Sequence, residues 1–205
     1  TRQKLPTLEG SANLASEGVR RGGYVLRPAS SEAGGGVPEL ILIGTGSELQ
    51  LAFAAAVALE KEGVAARVVS IPCWEAFDEQ DEAYCSSVLP AEVRRRVTIE
   101  AGASLGWERY AGDEGAIIGI DHFGASAPAG TIFEHLGFTT DRVTDVARRV
   151  VRDGLRGRIP TLDPGHQPPG LHLGGDHSGK DGSHPSVPAG DSGVDRTSGS
   201  DPGHS

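Results

Sequence analysis

The chain has 205 residues, a formal net charge of -9 and two cysteines, which allows one domain of ordinary size with a remainder. The acidic balance excludes a nucleic-acid surface, and its short basic runs, Arg20-Arg21, Arg94-Arg95-Arg96 and Arg148-Arg149, read as solvated faces. No apolar stretch approaches the roughly 18 to 20 residues of a membrane span, and Cys73 and Cys85 are too few for a zinc site or a disulfide framework, so no membrane partner and a reducing compartment are expected.

Tyr24-Val25-Leu26 follows a Gly-Gly turn and reads as a short strand. Leu40-Ile41-Leu42-Ile43 is a continuous apolar run ending at Gly44, the pattern of a strand covered on both faces. Ser47 opens a helix, with Gln50 three residues on as its capping-box partner. Leu49, Ala52, Phe53, Ala56 and Leu59 fall on one face of that helix, and Gly63 stops it. Arg67-Val68-Val69-Ser70-Ile71 is the next strand, closed by Pro72, and one helix is predicted over 78–88. Further strands are predicted over 96–100 and 116–120, with a short helical segment over 107–111 between them. Helices follow over about 128–136 and 140–153, the second amphipathic through Val143, Val146, Ala147 and Val150. Strand and helix alternating through short connections predict an α/β fold: an open, mostly parallel five-stranded sheet with right-handed crossovers and helices on both faces.

Composition changes abruptly past Leu162. Every Trp, Tyr and Phe lies at or before Phe138, whereas 163–205 is dominated by Gly, Pro, Ser, Asp and His. Ordering costs about 1 to 2 kcal/mol per residue, which such a segment cannot offset by burial, so a disordered C-terminal tail is predicted.

Few residues offer chemistry. Gly44-Thr45-Gly46-Ser47-Glu48-Leu49 sits at a strand end and helix start, where phosphate-cradling loops occur, but Leu49 stands where the dinucleotide fingerprint has its third glycine. A tight turn with a helix cap accounts for it. Glu100 and Asp121 close two strands and read either as an acid–base pair or as caps for loop amides, the second being the simpler role. His122 and His135 lack partners at metal-ligand spacing and read as structural. His166, His172, His177, His184 and His204 are irregularly spaced in the tail, a pattern that gives adventitious metal binding at most. Cys73 has no neighbouring base or cation in sequence and reads as a quiet thiol.

A resemblance rests on longer runs. These are Glu100-Ala101-Gly102-Ala103-Ser104-Leu105-Gly106-Trp107-Glu108-Arg109-Tyr110, then Ile118-Gly119-Ile120-Asp121-His122-Phe123-Gly124-Ala125-Ser126-Ala127-Pro128, and Phe133 to Phe138. Leu40 to Glu48, Arg67 to Phe77 and Ser87-Val88-Leu89-Pro90 continue them. Over about 1–153 the chain resembles the carboxyl-terminal domain of transketolases, and Thr1-Arg2-Gln3-Lys4-Leu5-Pro6 resembles the segment that ends their middle domain.

That resemblance implies a homodimeric enzyme that moves a two-carbon ketol unit between sugar phosphates in the pentose phosphate pathway, using thiamine diphosphate and Mg or Ca. It implies that cofactor, metal and the activating glutamate belong to other domains, so that no catalytic, cofactor-binding or metal residue lies here. It places Arg2 on the sugar phosphate as a charge-assisted donor. The expected organisation is a linker arm over 1–20, the α/β domain over 21–158 and the tail over 159–205. The chain opens at Thr1 and contains no Met, so a further upstream segment is expected, with the fragment supporting packing and dimerisation and inactive alone. A cytoplasmic protein is expected, or a plastid one if a transit peptide preceded Thr1. Two alternatives stay open: a stand-alone interaction or regulatory module of the same fold, and the corresponding domain of another thiamine-diphosphate enzyme, such as a deoxyxylulose-phosphate synthase or the beta subunit of a 2-oxo acid dehydrogenase.

Overall fold

The apolar run Leu40-Ile41-Leu42-Ile43 lies inside a six-stranded sheet, and all four side chains are wholly buried. Alternate residues of a strand face opposite sides. Burying each such side chain stabilises the fold by about 1.5–3 kcal/mol, so this one strand ties two hydrophobic layers together. The computed structural model describes residues 4–30, 36–160 and 172–173. The chain divides into one unit over Thr1–Gly174 and a second over Gly175–Ser205, and every described residue belongs to the first.

The strands are β1 (Tyr24–Arg27), β2 (Leu40–Gly44), β3 (Ala66–Ser70), β4 (Arg96–Ile99), β5 (Ala116–Ile118), β6 (Ala125–Ser126), β7 (Gly157–Ile159) and β8 (His172–Leu173). Their order in the main sheet is β1-β3-β2-β4-β5-β7. Five are parallel, and β1 is an antiparallel edge on β3. The predicted sheet was five-stranded; the sixth strand is β7. Gly157-Arg158-Ile159 holds one apolar residue and is mostly exposed, so no hydrophobic run announces it. β6 and β8 pair antiparallel as a separate ribbon. His172 and Leu173 thus take strand conformation inside the predicted tail, and the rest of that tail from 161 lies outside the described residues.

The helices are α1 (Ser11–Arg20), α2 (Leu49–Glu60), α3 (Trp74–Asp78), α4 (Glu82–Val88), α5 (Glu108–Ala111), α6 (Ala129–Leu136) and α7 (Thr140–Asp153). On one face of the sheet Leu40, Leu42, Val97 and Ile99 pack with α2 and α7 through Leu59, Val143 and Val150. On the other, Ile41, Ile43, Val69 and Ile117 meet Phe77 of α3, Val88 of α4 and Tyr110 of α5. Helices therefore cover both faces, as the unbroken apolar strands require.

Three local expectations are corrected. The helix predicted over 78–88 is two: α3 ends at Asp78, and Asp81, extended, caps α4 by accepting from the Tyr84 N–H at 2.7 Å. The capping box at Ser47 is not made. The chain first takes a 3-10 turn over Gly46–Glu48, the Ser47 hydroxyl donates to the Glu48 carboxylate, and the Gln50 amide donates to the Ser47 carbonyl. The third correction concerns Arg94-Arg95-Arg96, read as a solvated face. Arg94 pairs with Asp113 and Glu114, and Arg95 with Glu39, all near the surface. Arg96 is half-buried and donates to the carbonyls of Val93 (2.8 Å), Pro90 (2.8 Å), Leu89 (3.4 Å) and Tyr110 (3.1 Å), fixing the turn before β4 to the end of α5.

Candidate functional site

Register places the strand ends level. Gly44 of β2 pairs with Ser70 of β3 on one side and with Ile99 of β4 on the other. Thr45, Ile71 and Glu100 therefore leave the sheet side by side. From β2 the chain passes to β3, then returns across β2 to β4. The carboxyl ends of β2 and β4 thus flank the topological switch point, where open α/β sheets hold their ligands. A crevice of about 370 Å³ opens there, lined by Thr45, Cys73, Trp74, Glu75, Glu100 and Trp107 among others, with no Lys, Arg or His among the described residues of its wall.

Its walls are rigid for identifiable reasons. Trp74 meets Trp107 edge-on at 5.0 Å between ring centres and Tyr110 at 5.8 Å. The Tyr110 hydroxyl donates to Asp78 at 2.9 Å, which also receives Arg109. Gly106 lies in the left-handed region at φ 90°, and a Cβ there would stand 2.7 Å from the Trp74 ring, so only glycine permits this approach. Gly22, also left-handed, lets the chain pass against the start of α3, where a Cβ would lie 2.3 Å from the Cys73 carbonyl oxygen.

The two acids that close neighbouring strands differ. Asp121 accepts from the Ser104 backbone N–H at 2.9 Å and from its hydroxyl, and these bonds hold its carboxyl below the ordinary range. It caps a loop, as the simpler reading had it. Glu100 has no such support. Its Oε2 is buried with no hydrogen-bond partner among the described residues, and burial, reinforced by the charge of nearby Glu48, pushes its carboxyl up to about 7. Glu48 is itself only 4% exposed. The neighbour that couples to Glu100 is therefore Glu48 and not Asp121.

The Gly44–Leu49 loop occupies the place of a phosphate cradle but not its chemistry. It carries one carboxylate, Glu48, with that of Glu100 close by, and no cation lines the crevice among the described residues, so these residues would repel a diphosphate. Among the described residues no group of three or more His, Cys, Asp or Glu converges as metal ligands. The described residues thus do not fit thiamine diphosphate or its metal.

Cys73 borders the crevice, where its thiol meets the Glu75 carboxylate at 3.5 Å rather than a base. His122 is exposed beyond β5, its Nδ1 2.8 Å from the Phe123 carbonyl oxygen. His135 is half-buried on α6. Arg2, His166, His177, His184 and His204 lie outside the described residues. Sequence reasoning missed Ser104 as the partner of Asp121 and the Trp74–Trp107 wall. The two tryptophans follow the ends of β3 and β4, which was the available signal.

An open α/β domain with a crevice at its switch point is the class that this geometry defines. Residues 22–139 match the family described as the transketolase-like TK C-terminal domain. The chain is 51% identical to the chloroplastic transketolase of Solanum tuberosum over 150 residues, 73% of this chain and 19% of that one. It is 51% identical to the transketolase of Geobacillus stearothermophilus over 143 residues, 70% of this chain and 21% of that one. Among solved structures, transketolase from Leishmania mexicana superposes with a TM-score of 0.65 at 37% identity, over 79% of this chain and 22% of that one. A Pichia stipitis transketolase in complex with sedoheptulose-7-phosphate gives 0.64 at 38% identity, over 74% and 20%. The chain belongs to the transketolase C-terminal domain family. It spans about a fifth of the length of the curated relatives it matches.

Proposed function

We propose that this chain is the carboxyl-terminal part of a transketolase, a homodimeric transferase that moves a two-carbon ketol unit between sugar phosphates in the pentose phosphate pathway. The observation that carries this reading is the family match over 22–139 together with about 50% identity to transketolases from plants and a bacterium. Thiamine diphosphate and its divalent ion supply the carbanion chemistry and are held by the four fifths of the enzyme that this chain does not span. The work of residues 21–158 is to pack against those domains and to support the dimer. Residues 1–20 form the arm that joins it to them, and 159–205 are an appended tail. Arg2 grips the sugar phosphate, where a fixed guanidinium fork suits a dianionic oxygen set. Localisation is cytoplasmic, or plastidic in the manner of the relatives named chloroplastic.

The test compares the full-length polypeptide with the 205-residue chain. Full-length enzyme is expected to transfer ketol units with a thiamine diphosphate requirement, and the shorter chain to show neither turnover nor cofactor binding. In the full-length enzyme Arg2→Ala is expected to raise KM for sugar phosphates at least tenfold with a smaller change in kcat. Turnover by the short chain alone would sink the reading.

A further inference from the structure

The crevice between β2 and β4 has a composition that the ketol-transfer reading does not use. A buried carboxylate oxygen without a donor is unusual enough in a folded protein to need a cause. Glu100 carries one directly after β4, whereas Asp121, a few residues past the end of β5, accepts from Ser104. Gly102 leaves the Glu100 side chain its room, since a Cβ there would lie 3.3 Å from both Cγ and Oε1. Among the described residues, the other titratable groups that line the crevice are Cys73 and Glu75 at the start of α3, and Glu48 on the turn after β2 acts on Glu100 from close by. All of these are acids. The remaining walls are the indoles of Trp74 and Trp107, planar surfaces that attract cations through their negative faces. The Arg109 guanidinium already lies 5.8 Å from the centre of the Trp74 ring. The cavity, about 370 Å³, has the size of a small-ligand site.

We infer that this crevice is a seat for a guanidinium or alkylammonium group, held by the Glu100 carboxylate, attracted by Glu48 and Glu75, and flanked by Trp74 and Trp107. A protonated nitrogen supplies what the described residues of the site lack: a positive charge beside the carboxylates of Glu100, Glu75 and nearby Glu48. Sugar phosphates and diphosphates are excluded by the same charges. Two sources share this chemistry, a free small organic cation and an arginine or lysine side chain from the part of the polypeptide that this chain does not span.

The experiment is carboxyl-carbon NMR titration of the 205-residue chain with and without ethylguanidinium chloride, with sodium chloride as the ionic-strength control. Glu100 is expected to titrate near 7 alone and at least one unit lower at saturating probe, because the ionised form binds at least tenfold tighter. Glu100→Gln, which removes the charge and keeps the shape, is expected to weaken probe binding at least tenfold. Asp121→Asn, outside the crevice, is expected to leave it unchanged. A Glu100 midpoint unmoved by the probe, or equal binding by Glu100→Gln, would overturn the inference. Full-length polypeptide then identifies the source: Glu100 already ionised at pH 6 and blind to the probe means a side chain of the same polypeptide occupies the seat. Probe binding as in the short chain means a free cation does. Glu100 titrating near 7 and blind to the probe in the full-length polypeptide would overturn both.

Discussion

Strand β4 carries a charged residue at each end, and the two ends are opposite cases. At its start the Arg96 guanidinium is taken into the protein and given four carbonyl oxygens from two pieces of chain, the turn over 89–93 and the end of α5. Just past its end the Glu100 carboxylate is half-buried, has one oxygen wholly covered, and receives no hydrogen bond there. Burial disfavours both charges, lowering the arginine pKa and raising that of the acid. What differs is the compensation. A charge that a fold satisfies is part of its scaffold, whereas one left unsatisfied at a crevice is available to a ligand.

The largest expected effect tests the satisfied end. Arg96→Met orphans several carbonyls around the turn before β4, each costing about 1–3 kcal/mol, so a loss of about 3 kcal/mol or more is expected in urea unfolding, with the slope unchanged. Arg96→Lys should recover only part of it, because an ammonium cannot reach four carbonyls spread over a planar fork. A loss under about 1 kcal/mol would mean that the hub is solvated in solution and that the two ends are alike.

The unsatisfied end should respond to pH with the opposite sign to ordinary carboxylates. The Glu100 carboxyl goes from 4.5 to about 7 on folding, so the folded chain binds its proton more tightly than the unfolded one. The stability this contributes is fully present below the unfolded value and is lost as pH rises through 7. Glu100→Gln is expected to flatten that decline and to stabilise the chain at pH 8 by about 2 kcal/mol, less than the full shift implies because the carboxyl keeps partial contact with water. Thermal unfolding of both proteins between pH 5 and 8 checks it; parallel curves would remove Glu100 from the set of unsatisfied charges.

Asp121 sharpens the contrast, since it follows the adjacent strand and is bonded. Its carboxyl is held below the ordinary range by Ser104, so its contribution is present above the unfolded value and lost as pH falls through the folded one. Asp121→Asn should cost about 1 kcal/mol at neutral pH, kept small by exposure of the carboxylate to water, and the cost should vanish in acid. An equal cost at pH 7 and at low pH would show that shape, not charge, matters there.

These states were legible in the sequence to different depths. The alternation of strands and helices, the buried run 40–43 and the amphipathic helix 140–153 could be read directly, because burial on two faces or on one stripe writes a periodicity into the chain. β7 could not, since an edge strand of Gly-Arg-Ile needs no apolar pattern. Asp81 could have been recognised as a cap that splits 78–88, had its position before Glu82 been weighed against the helical run. Glu100 and Asp121 read alike, as acids at strand ends, and nothing local separates them: the donors to Asp121 come from Ser104, seventeen residues away, and the charge against Glu100 comes from Glu48 on another loop. Arg96 was misread for the same reason, because its partners are carbonyls, which leave no trace in residue types. The site was therefore visible as a place, the carboxyl edge of the sheet, but not as a chemistry.

Between its two charged ends β4 also buries a neutral polar group, which gives the smallest test. Thr98 is fully inaccessible, and its Oγ1 has no hydrogen-bond partner among the described residues. It lies two residues before Glu100 but not in the crevice wall, and it carries no charge for a ligand to answer. Thr98→Val replaces the hydroxyl by a methyl of nearly the same size, removes the desolvation cost and keeps β-branching. A gain of up to about 1 kcal/mol in urea unfolding is expected, independent of pH. A loss instead would mean that the hydroxyl is bonded in solution, and that the shortage of donors along β4 is confined to Glu100, where it would then point still more directly to a ligand.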